Sequence, residues 1–314
     1  MKRIGYIAAP DFHFMSLAAL SVFEIANRTT PERLYDVRLL SEAGGLITSS
    51  IGMSIDTHGL DATNFDTVIV GGGLDIVEAT PALITFVQNA EKKTRRMASA
   101  CSGAFVLAAA GLLDDRRATT HWLHARELKR RYPKVSVEDD RIYITDGSIW
   151  TSAGGSAGID LALGMVEQDL GDDIALVVAK KLVLYHRRAG GQSQHSTLLD
   201  LSPKSDRIQT AIAYARRNLN KALSVDELAT AANLSPRQFS RAFHAETGQS
   251  PAKAIEKMRV EAARLMLEQG RHPIETIADE SGFADRERMR RAFLRTYGQP
   301  PQAIRRNARS RETS

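Results

Sequence analysis

Short aliphatic runs alternate with amphipathic segments over the first part of the chain. The runs predict strands at 3–9, 37–40, 67–70, 97–100, 142–145 and 149–151. Between them, apolar positions recur at helical spacing over 17–26, 82–92, 103–109 and 159–166. Strands separated by helices are typical of a parallel sheet that is covered on both faces. We therefore expect a doubly wound, mostly parallel α/β sandwich of the flavodoxin-like kind.

The texture of the chain changes near residue 186. Residues 186–196 read HRRAGGQSQHS, a polar, glycine-rich and basic stretch that is typical of a linker. Beyond residue 206 the strand signals end and apolar positions recur at helical spacing. We therefore predict an α/β domain over 1–185, a linker over 186–205 and an all-α domain over 206–314.

The helical part contains an internal repeat with a period near 50 residues. The segments that begin at 225 and 274 share their pattern, and Phe243 and Gly248 match Phe293 and Gly298 at a spacing of 50. Repetition of a whole unit indicates a duplicated supersecondary module. Each copy has the pattern of two short helices joined by a turn. We predict helix-turn-helix motifs at 224–247 and 273–297.

Capping signals mark the helices of both copies. Ser224 with Glu227, and Ser235 with Gln238, form capping-box patterns, and Asp285 is the predicted cap in the second copy. A further helix is predicted over 251–268 and joins the copies. At 1.5 Å per residue it spans about 27 Å. In a helix-turn-helix motif the second helix, here called the reading helix, enters the major groove of DNA, and a connection of this length can hold two reading helices about one DNA turn apart. Its predicted apolar stripe is Ile255, Met258, Ala262, Leu265 and Met266.

Two stretches of the helical part, LSPRQFSRAFHAETGQSP (234–251) and IADESGFADRERMRRAFLRTYGQPP (277–301), carry a family resemblance. Over about 206–306 the chain resembles the DNA-binding domain of the AraC/XylS-type transcription regulators, which implies binding to double-stranded promoter DNA. Arginine can bind guanine bidentately and glutamate can accept from cytosine. The candidate DNA-binding residues are Arg237, Gln238, Ser240, Arg241, Arg286, Glu287, Arg290 and Arg291. For each arginine the alternatives are contact with phosphate alone or a solvated side chain, and for the whole domain a helical bundle that docks a protein.

Cys101 lies where a predicted strand meets a predicted helix, among small neighbours. Such a turn can present a nucleophile, and the helix N-terminus is expected to lower the pKa of the thiol. The glycines at 71–73 end an earlier strand and could supply backbone N–H groups as an oxyanion hole. His121 and His13 are the histidines expected near the thiol. The pattern leaves open a cysteine-dependent hydrolase.

The stretches SACSGAFVLAAAGLLDDRRATTHW (99–122) and TSAGGSAGIDLALGMVE (151–167) also carry a family resemblance. Over about 1–185 the chain resembles the PfpI-like class I glutamine amidotransferase superfamily, and specifically its GlxA-type branch, which has an AraC-type tail. That resemblance implies a domain that senses a small molecule and is no enzyme. Ser102 stands where PfpI-type proteases place a histidine, so the catalytic set is incomplete. The candidate effector-binding residues are His13, Gly72, Gly73, Cys101, Ser102 and His121.

Composition and charge exclude several classes of protein and indicate the kind of partner. The single cysteine argues against a disulfide framework, and no apolar run is long enough for a membrane helix or a signal peptide. Residues 1–205 carry 22 basic and 24 acidic side chains, whereas residues 206–314 carry 20 and 13, so the helical part favours a polyanion partner.

We therefore expect a cytoplasmic regulator with a small-molecule effector, without cofactor, metal site, catalytic residues or membrane contact. A homodimer is expected, with 159–166 as a candidate apolar face that core burial would explain equally well. The alternatives are a cysteine-dependent hydrolase or amidotransferase fused to a DNA-binding domain, and a thiol redox sensor.

Overall fold

The computed structural model describes residues 1–60, 64–73, 75, 76, 78–184, 188, 190, 194, 201, 203–268 and 272–312. They form two compact units, Met1–Gln194 and His195–Ser314. The division falls within the predicted linker, most of which lies outside the described residues. None of the described helices is long and apolar enough to cross a membrane.

The first unit is built on a six-stranded sheet. Its elements are β1 (Lys2–Ile7), α1 (Ala18–Asn27), β2 (Tyr35–Leu40), β3 (Gly45–Thr48), β4 (Ser54–Thr57), β5 (Thr67–Val70), α2 (Pro81–Glu91), β6 (Arg96–Ala100), α3 (Gly103–Ala109), β7 (Arg117–Ala118), α4 (Trp122–Arg131), β8 (Ser136–Val137), β9 (Tyr143–Asp146), β10 (Ile149–Ser152), α5 (Ser156–Leu170) and α6 (Asp172–Lys181). The strand order is β2-β1-β5-β6-β10-β9, and every pair is parallel except β10 with β9. The expected mostly parallel α/β fold is confirmed.

Helices cover both faces of this sheet because its central strands are apolar on both sides. On one face α1, α5 and α6 bury Phe23, Leu161 and Val178 against the sheet. On the other face α2, α3 and α4 bury a second core that includes Leu107 and Leu128. The segment 159–166 lies in the first core, so burial within the unit explains its apolar character.

Three features of the first unit escape the sequence pattern. The hairpin β3–β4 turns only a few apolar side chains inward, such as Ile47, and therefore lacks a clear strand signal. Helix α4 is mostly polar and is anchored by Ala125 and Leu128. Helix α6 follows α5 after Gly171, whose φ of +87° ends the preceding helix.

The second unit is helical throughout the part that the structure describes. Its helices are α7 (Asp206–Arg217), α8 (Val225–Ala231), α9 (Pro236–Thr247), α10 (Pro251–Glu268), α11 (Ile274–Glu280), α12 (Arg286–Tyr297) and α13 (Pro301–Glu312). Both predicted capping boxes are present, and Asp285 accepts from the N–H of Arg288 at 2.7 Å. Helices α9 and α12 both end at a left-handed glycine, Gly248 and Gly298.

The linking helix α10 serves two cores, which corrects its predicted apolar stripe. Its first half buries Ala254, Ile255 and Met258 among the residues of the first helix-turn-helix copy. Its second half turns Val260, Ala263 and Leu267 into the core of the second copy. Ala262, Leu265 and Met266 are only half-buried. A single straight stripe is wrong here because the helix packs against a different partner at each end.

Candidate functional sites: the strand-to-helix elbow and the reading helices

Cys101 forms a sharp elbow between β6 and α3. Its φ is +55°, a left-handed conformation that a residue with a side chain adopts only under strain. The flanking backbone holds this conformation: the N–H of Cys101 donates to Ser152 O at 3.0 Å, and the hydroxyl of Thr120 donates to Cys101 O at 2.7 Å. The expected nucleophile-type elbow is present.

Two glycines allow other backbone segments to reach the elbow. A Cβ on Gly72 would lie 2.5 Å from Ser102 N, so the turn after β5 contacts the elbow directly. A Cβ on Gly154 would lie 2.3 Å from Cys101 Cβ, and its φ is +77°. The structure therefore brings Gly72, Gly73, Cys101 and Ser102 together, as the candidate site requires. Gly154 is an additional contact that the sequence reasoning missed.

The thiol of Cys101 is held in its protonated form. Its Sγ donates to Gly73 O at 3.6 Å, so its proton points to a backbone acceptor and not to a base. Burial raises the pKa of the Cys101 thiol, and the backbone hydrogen bond at Ser102 only partly opposes this. The expectation that the helix N-terminus lowers this pKa is therefore wrong, because desolvation of the thiolate costs more than the helix end provides.

The glycine turn does not offer a free oxyanion hole at Gly73. The N–H of Gly73 donates to the hydroxyl of Ser102 at 3.0 Å. Ser102 is buried and can also donate to Gly73 O at 3.4 Å. Ser102, which stands where PfpI-type proteases have a histidine, thus links the glycine turn to the elbow by hydrogen bonds.

The two candidate histidines have different surroundings. Nδ1 of His121 accepts from the N–H of Leu123 at 3.3 Å, so His121 caps α4. This hydrogen bond occupies the lone pair of Nδ1. His13 lies half-buried at the start of a 3₁₀ turn, Phe14–Leu17, in the loop that follows β1.

Tyr6 ties the His13 loop to the elbow region. Its hydroxyl donates to Ser16 O at 2.8 Å, and a Cβ on Gly71 would lie 2.5 Å from the same hydroxyl oxygen. Burial raises the pKa of Tyr6, and the nearby Cys101 adds to the increase. Ser16 Oγ is buried and has no hydrogen-bond partner within the described residues. The sequence does not mark Tyr6 or Ser16 as site residues, because neither belongs to a recognisable motif and both are buried like other core residues.

Gln194, the last residue of the first unit, binds behind the elbow. Its Nε2 donates to Thr120 O at 2.8 Å and to Asp139 O at 3.0 Å. Its Oε1 accepts from the N–H of Trp122 at 2.9 Å. Hydrogen bonds therefore run from Cys101 O through Thr120 to the residue that precedes the helical unit. The sequence reasoning treated this glutamine only as part of a linker.

In the first helix-turn-helix copy, α9 buries Phe239 and Phe243 and exposes Arg237 and Arg241. Ser240 is half-buried. The side-chain oxygen of Gln238 accepts from the N–H and the hydroxyl of Ser235, so this residue caps α9 and keeps only its amide N–H groups for DNA.

In the second copy, α12 buries Met289, Ala292 and Phe293 and exposes all four candidate residues. Glu287 accepts from Arg290 in a bidentate pair at 2.8 Å, and this hydrogen bonding lowers the pKa of Glu287. Arg286 pairs with Glu275 at 3.3 Å. These pairs are exposed and weak, so DNA can displace them.

Two helix-turn-helix copies with exposed basic helices, α9 and α12, joined in one chain to a flavodoxin-like α/β unit, are the parts of a helix-turn-helix DNA-binding regulator. The profile described as "Helix-turn-helix domain" matches residues 228–307, and that of the "DJ-1/PfpI family" matches residues 19–168. The chain is 31% identical to the HTH-type transcriptional regulator GlxA of Rhizobium meliloti, over 99% of this chain and 97% of that protein. It belongs to this family of HTH-type transcriptional regulators and is a DNA-binding regulator.

One further relative supports the regulator family, and one solved structure supports the fold. The chain is 29% identical to the HTH-type transcriptional regulator GbdR of Pseudomonas aeruginosa, over 96% of this chain and 83% of that protein. The crystal structure of an AraC family transcriptional regulator from Pseudomonas putida aligns with a TM-score of 0.54 and 24% identity, over 58% of this chain and all of that chain. The structural likeness shows that the fold is shared.

Proposed function

We propose that the DNA binding of this regulator responds to a small molecule bound at the elbow. The proposal rests on the geometry of the elbow, which has the backbone of a nucleophile site but no activated nucleophile. The thiol of Cys101 donates to Gly73 O, and the N–H of Gly73 donates to the hydroxyl of Ser102. In open α/β sheets, ligands bind beyond the carboxyl ends of the strands, where the loops after β1, β5 and β6 lie. The proposed contacts are His13, Gly72, Gly73, Cys101, Ser102 and His121.

Exposed apolar side chains in the adjoining loops support a ligand site. Phe14 and Met15 follow His13, and Trp122 and Leu123 follow His121, and all four are more than a third exposed. A metabolite screen by thermal shift tests the site. A ligand at 100 times its dissociation constant should stabilise the protein by about 2.7 kcal/mol. A crystal structure with that ligand far from the elbow would refute the assignment.

We propose that the α/β unit is not a cysteine-dependent enzyme. The Cys101 thiol donates to the backbone carbonyl of Gly73, and Nδ1 of His121 caps α4, so among the described residues these two groups are not hydrogen-bonded to each other as a nucleophile and its base. Esterase, protease, glutaminase and deglycase assays should show no turnover above a Cys101→Ser control. Turnover that depends on Cys101 would support the hydrolase alternative. A DNA-binding response to peroxide that is lost in the same variant would support the redox sensor.

We propose that Arg241 and Arg291 read bases in successive major grooves. They occupy equivalent places in the repeat, two residues before Phe243 and Phe293, and both are exposed. Replacing either by alanine should cost about 1–3 kcal/mol and relax the preference at one base pair. The two altered base pairs should lie about 10 bp apart. Binding-site selection with both variants decides this, and unchanged sequence logos would rule out base reading.

We propose that the regulator is a homodimer. Residues 160–166 are buried in the first core and Ile159 packs against it, which favours core burial as the reason for this apolar segment, whereas α6 exposes Leu176 and Val177 and is followed by the exposed Val183. Leu176→Glu should convert the dimer to monomers in light scattering, and Leu46→Glu, at a more exposed leucine on the β3–β4 hairpin, is the control. A dimer that survives Leu176→Glu would place the interface elsewhere.

A further inference from the structure

A basic cleft of about 640 Å³ lies between the second helix-turn-helix copy and the loop that leads into the first copy. Its walls come from the loop between α7 and α8, from the linking helix α10, and from the second copy. Five basic side chains and two carboxylates line it. The excess of positive charge distinguishes it from an ordinary surface groove and favours an anion.

The width of the cleft is fixed by direct contact between the second copy and the loop between α7 and α8. Gly282, in the turn of the second copy, has a φ of +80°, and a Cβ there would lie 1.7 Å from Leu219 O. Arg259 of α10 donates to the same carbonyl at 3.1 Å and to Lys221 O at 2.7 Å. The loop that carries Lys221 is therefore held against both α10 and the second copy.

The repeat shows that two of the cleft arginines are peculiar to the second copy. At the spacing of 50 that matches Phe243 with Phe293, Arg288 corresponds to Gln238 and Arg295 to Ala245. Both arginines lie on the flank of α12 that lines the cleft, away from its buried side. Two of the four arginines of α12 that lack a basic counterpart in α9 therefore line the cleft, and the other two, Arg286 and Arg290, do not.

The carboxylates near these arginines do not hold them tightly. Arg295 binds Glu256 at 2.7 Å, but the two side chains are 58% and 41% exposed. Arg288 lies 3.8 Å from Asp285, and both are also exposed. Exposed pairs contribute about 0–1 kcal/mol, so a phosphate can replace either carboxylate.

We propose that this cleft binds the DNA backbone between the two major grooves that the reading helices enter, with Lys221, Arg288 and Arg295 contacting phosphates. The inference rests on the proposed function, in which α9 and α12 read successive grooves. Between two such grooves the duplex presents phosphates of both strands to the gap between the copies. The ligand is the sugar-phosphate backbone, and its recognition is independent of base sequence.

The test is a salt titration of DNA binding by the full chain, with the operator recovered by binding-site selection and a random-sequence duplex of equal length. The variants Arg288→Gln and Arg295→Ala install the residues of the first copy. Each should weaken both duplexes by the same factor and reduce the slope of log K against log salt by about 0.9. Between 50 and 200 mM salt, each variant should lose about 3.5-fold less affinity than the wild type. Sequence logos should stay unchanged.

Two further variants sharpen the result. Glu256→Gln removes a carboxylate from the cleft and should tighten binding to both duplexes, whereas Arg216→Gln, an exposed arginine of α7 outside the cleft, should leave the slope unchanged. A wild-type slope in Arg288→Gln and Arg295→Ala, or a changed preference at a base pair, would overturn the cleft proposal while DNA reading by Arg241 stands. Failure of the wild type to select any sequence would refute base reading, and the salt slopes of Arg288→Gln and Arg295→Ala on the random-sequence duplex would still decide the cleft proposal.

Discussion

Two features of the structure shift the pKa of the Cys101 thiol in opposite directions. The left-handed backbone and the close contact with Gly154 present the thiol at the end of α3, where a helix N-terminus favours a thiolate. Burial of the same thiol favours the neutral form and dominates, so its pKa is raised. A residue with the placement of a nucleophile thus has the protonation state of a core cysteine.

This balance predicts the pH dependence of Cys101 alkylation. Because the folded pKa is raised, the midpoint of the rate of reaction with iodoacetamide should lie at higher pH in the folded protein than in the urea-unfolded chain. The midpoint reports protonation and is independent of how accessible the thiol is. The chain has one cysteine, so the unfolded chain is its own reference. A lower midpoint in the folded protein would mean that the thiolate is stabilised.

Gly154 and Gly155 provide a matched pair for testing the contact at the elbow. Both have positive φ, but a Cβ on Gly155 meets no atom within 4 Å, whereas one on Gly154 meets Cys101. Gly155→Ala should cost about 1–3 kcal/mol because its φ of +54° and ψ of −131° lie in a region that residues with a side chain avoid. Gly154→Ala should cost about 1–3 kcal/mol more because of the clash. Urea unfolding measures both, and equal losses would mean that the elbow tolerates the extra methyl group.

Among the helices and strands, the sequence predicts features that depend on neighbouring residues, such as helix caps. It does not predict contacts that depend on which distant strands pair. The caps at Ser224, Ser235 and Asp285 are confirmed because a cap depends on residues three positions apart. The approach of Gly154 to Cys101 follows from the pairing of β10 with β6, where Ser152 lies beside Ala100. No pattern along the chain reports that register.

Ser235 gives an element-scale prediction. Its hydroxyl accepts from the N–H of Gln238 at 3.4 Å, and Gln238 returns the bond to Ser235 at the start of the reading helix α9. Ser235→Ala should destabilise the helical unit by about 1 kcal/mol. Ser235→Asp keeps an acceptor and adds a negative charge at the helix N-terminus, so stability should be retained. Thermal unfolding measures both variants, and equal stability of the alanine variant would contradict a role for this cap.

At the scale of the whole molecule, the two units are connected through a residue that belongs to the elbow's own hydrogen-bond network. Thr120 binds Cys101 O with its hydroxyl and Gln194 with its carbonyl. Gln194 ends the first unit, and the helical unit follows directly. A ligand that displaces Thr120 or His121 therefore acts on the start of the connection to the DNA-binding unit. This supports an effector response that needs no contact between the ligand and the reading helices.

Gln194 tests this connection. Gln194→Ala removes the bonds to Thr120 O, Asp139 O and the N–H of Trp122, and should speed hydrogen exchange at the Trp122 amide. Gln194→Glu keeps the size and the acceptor but places a carboxylate against two carbonyl oxygens, so it should be at least as disruptive. In both variants a ligand found by thermal shift should still bind but should no longer change DNA affinity. Unaltered exchange at Trp122, or an intact DNA response in both variants, would show that the signal does not pass through Gln194.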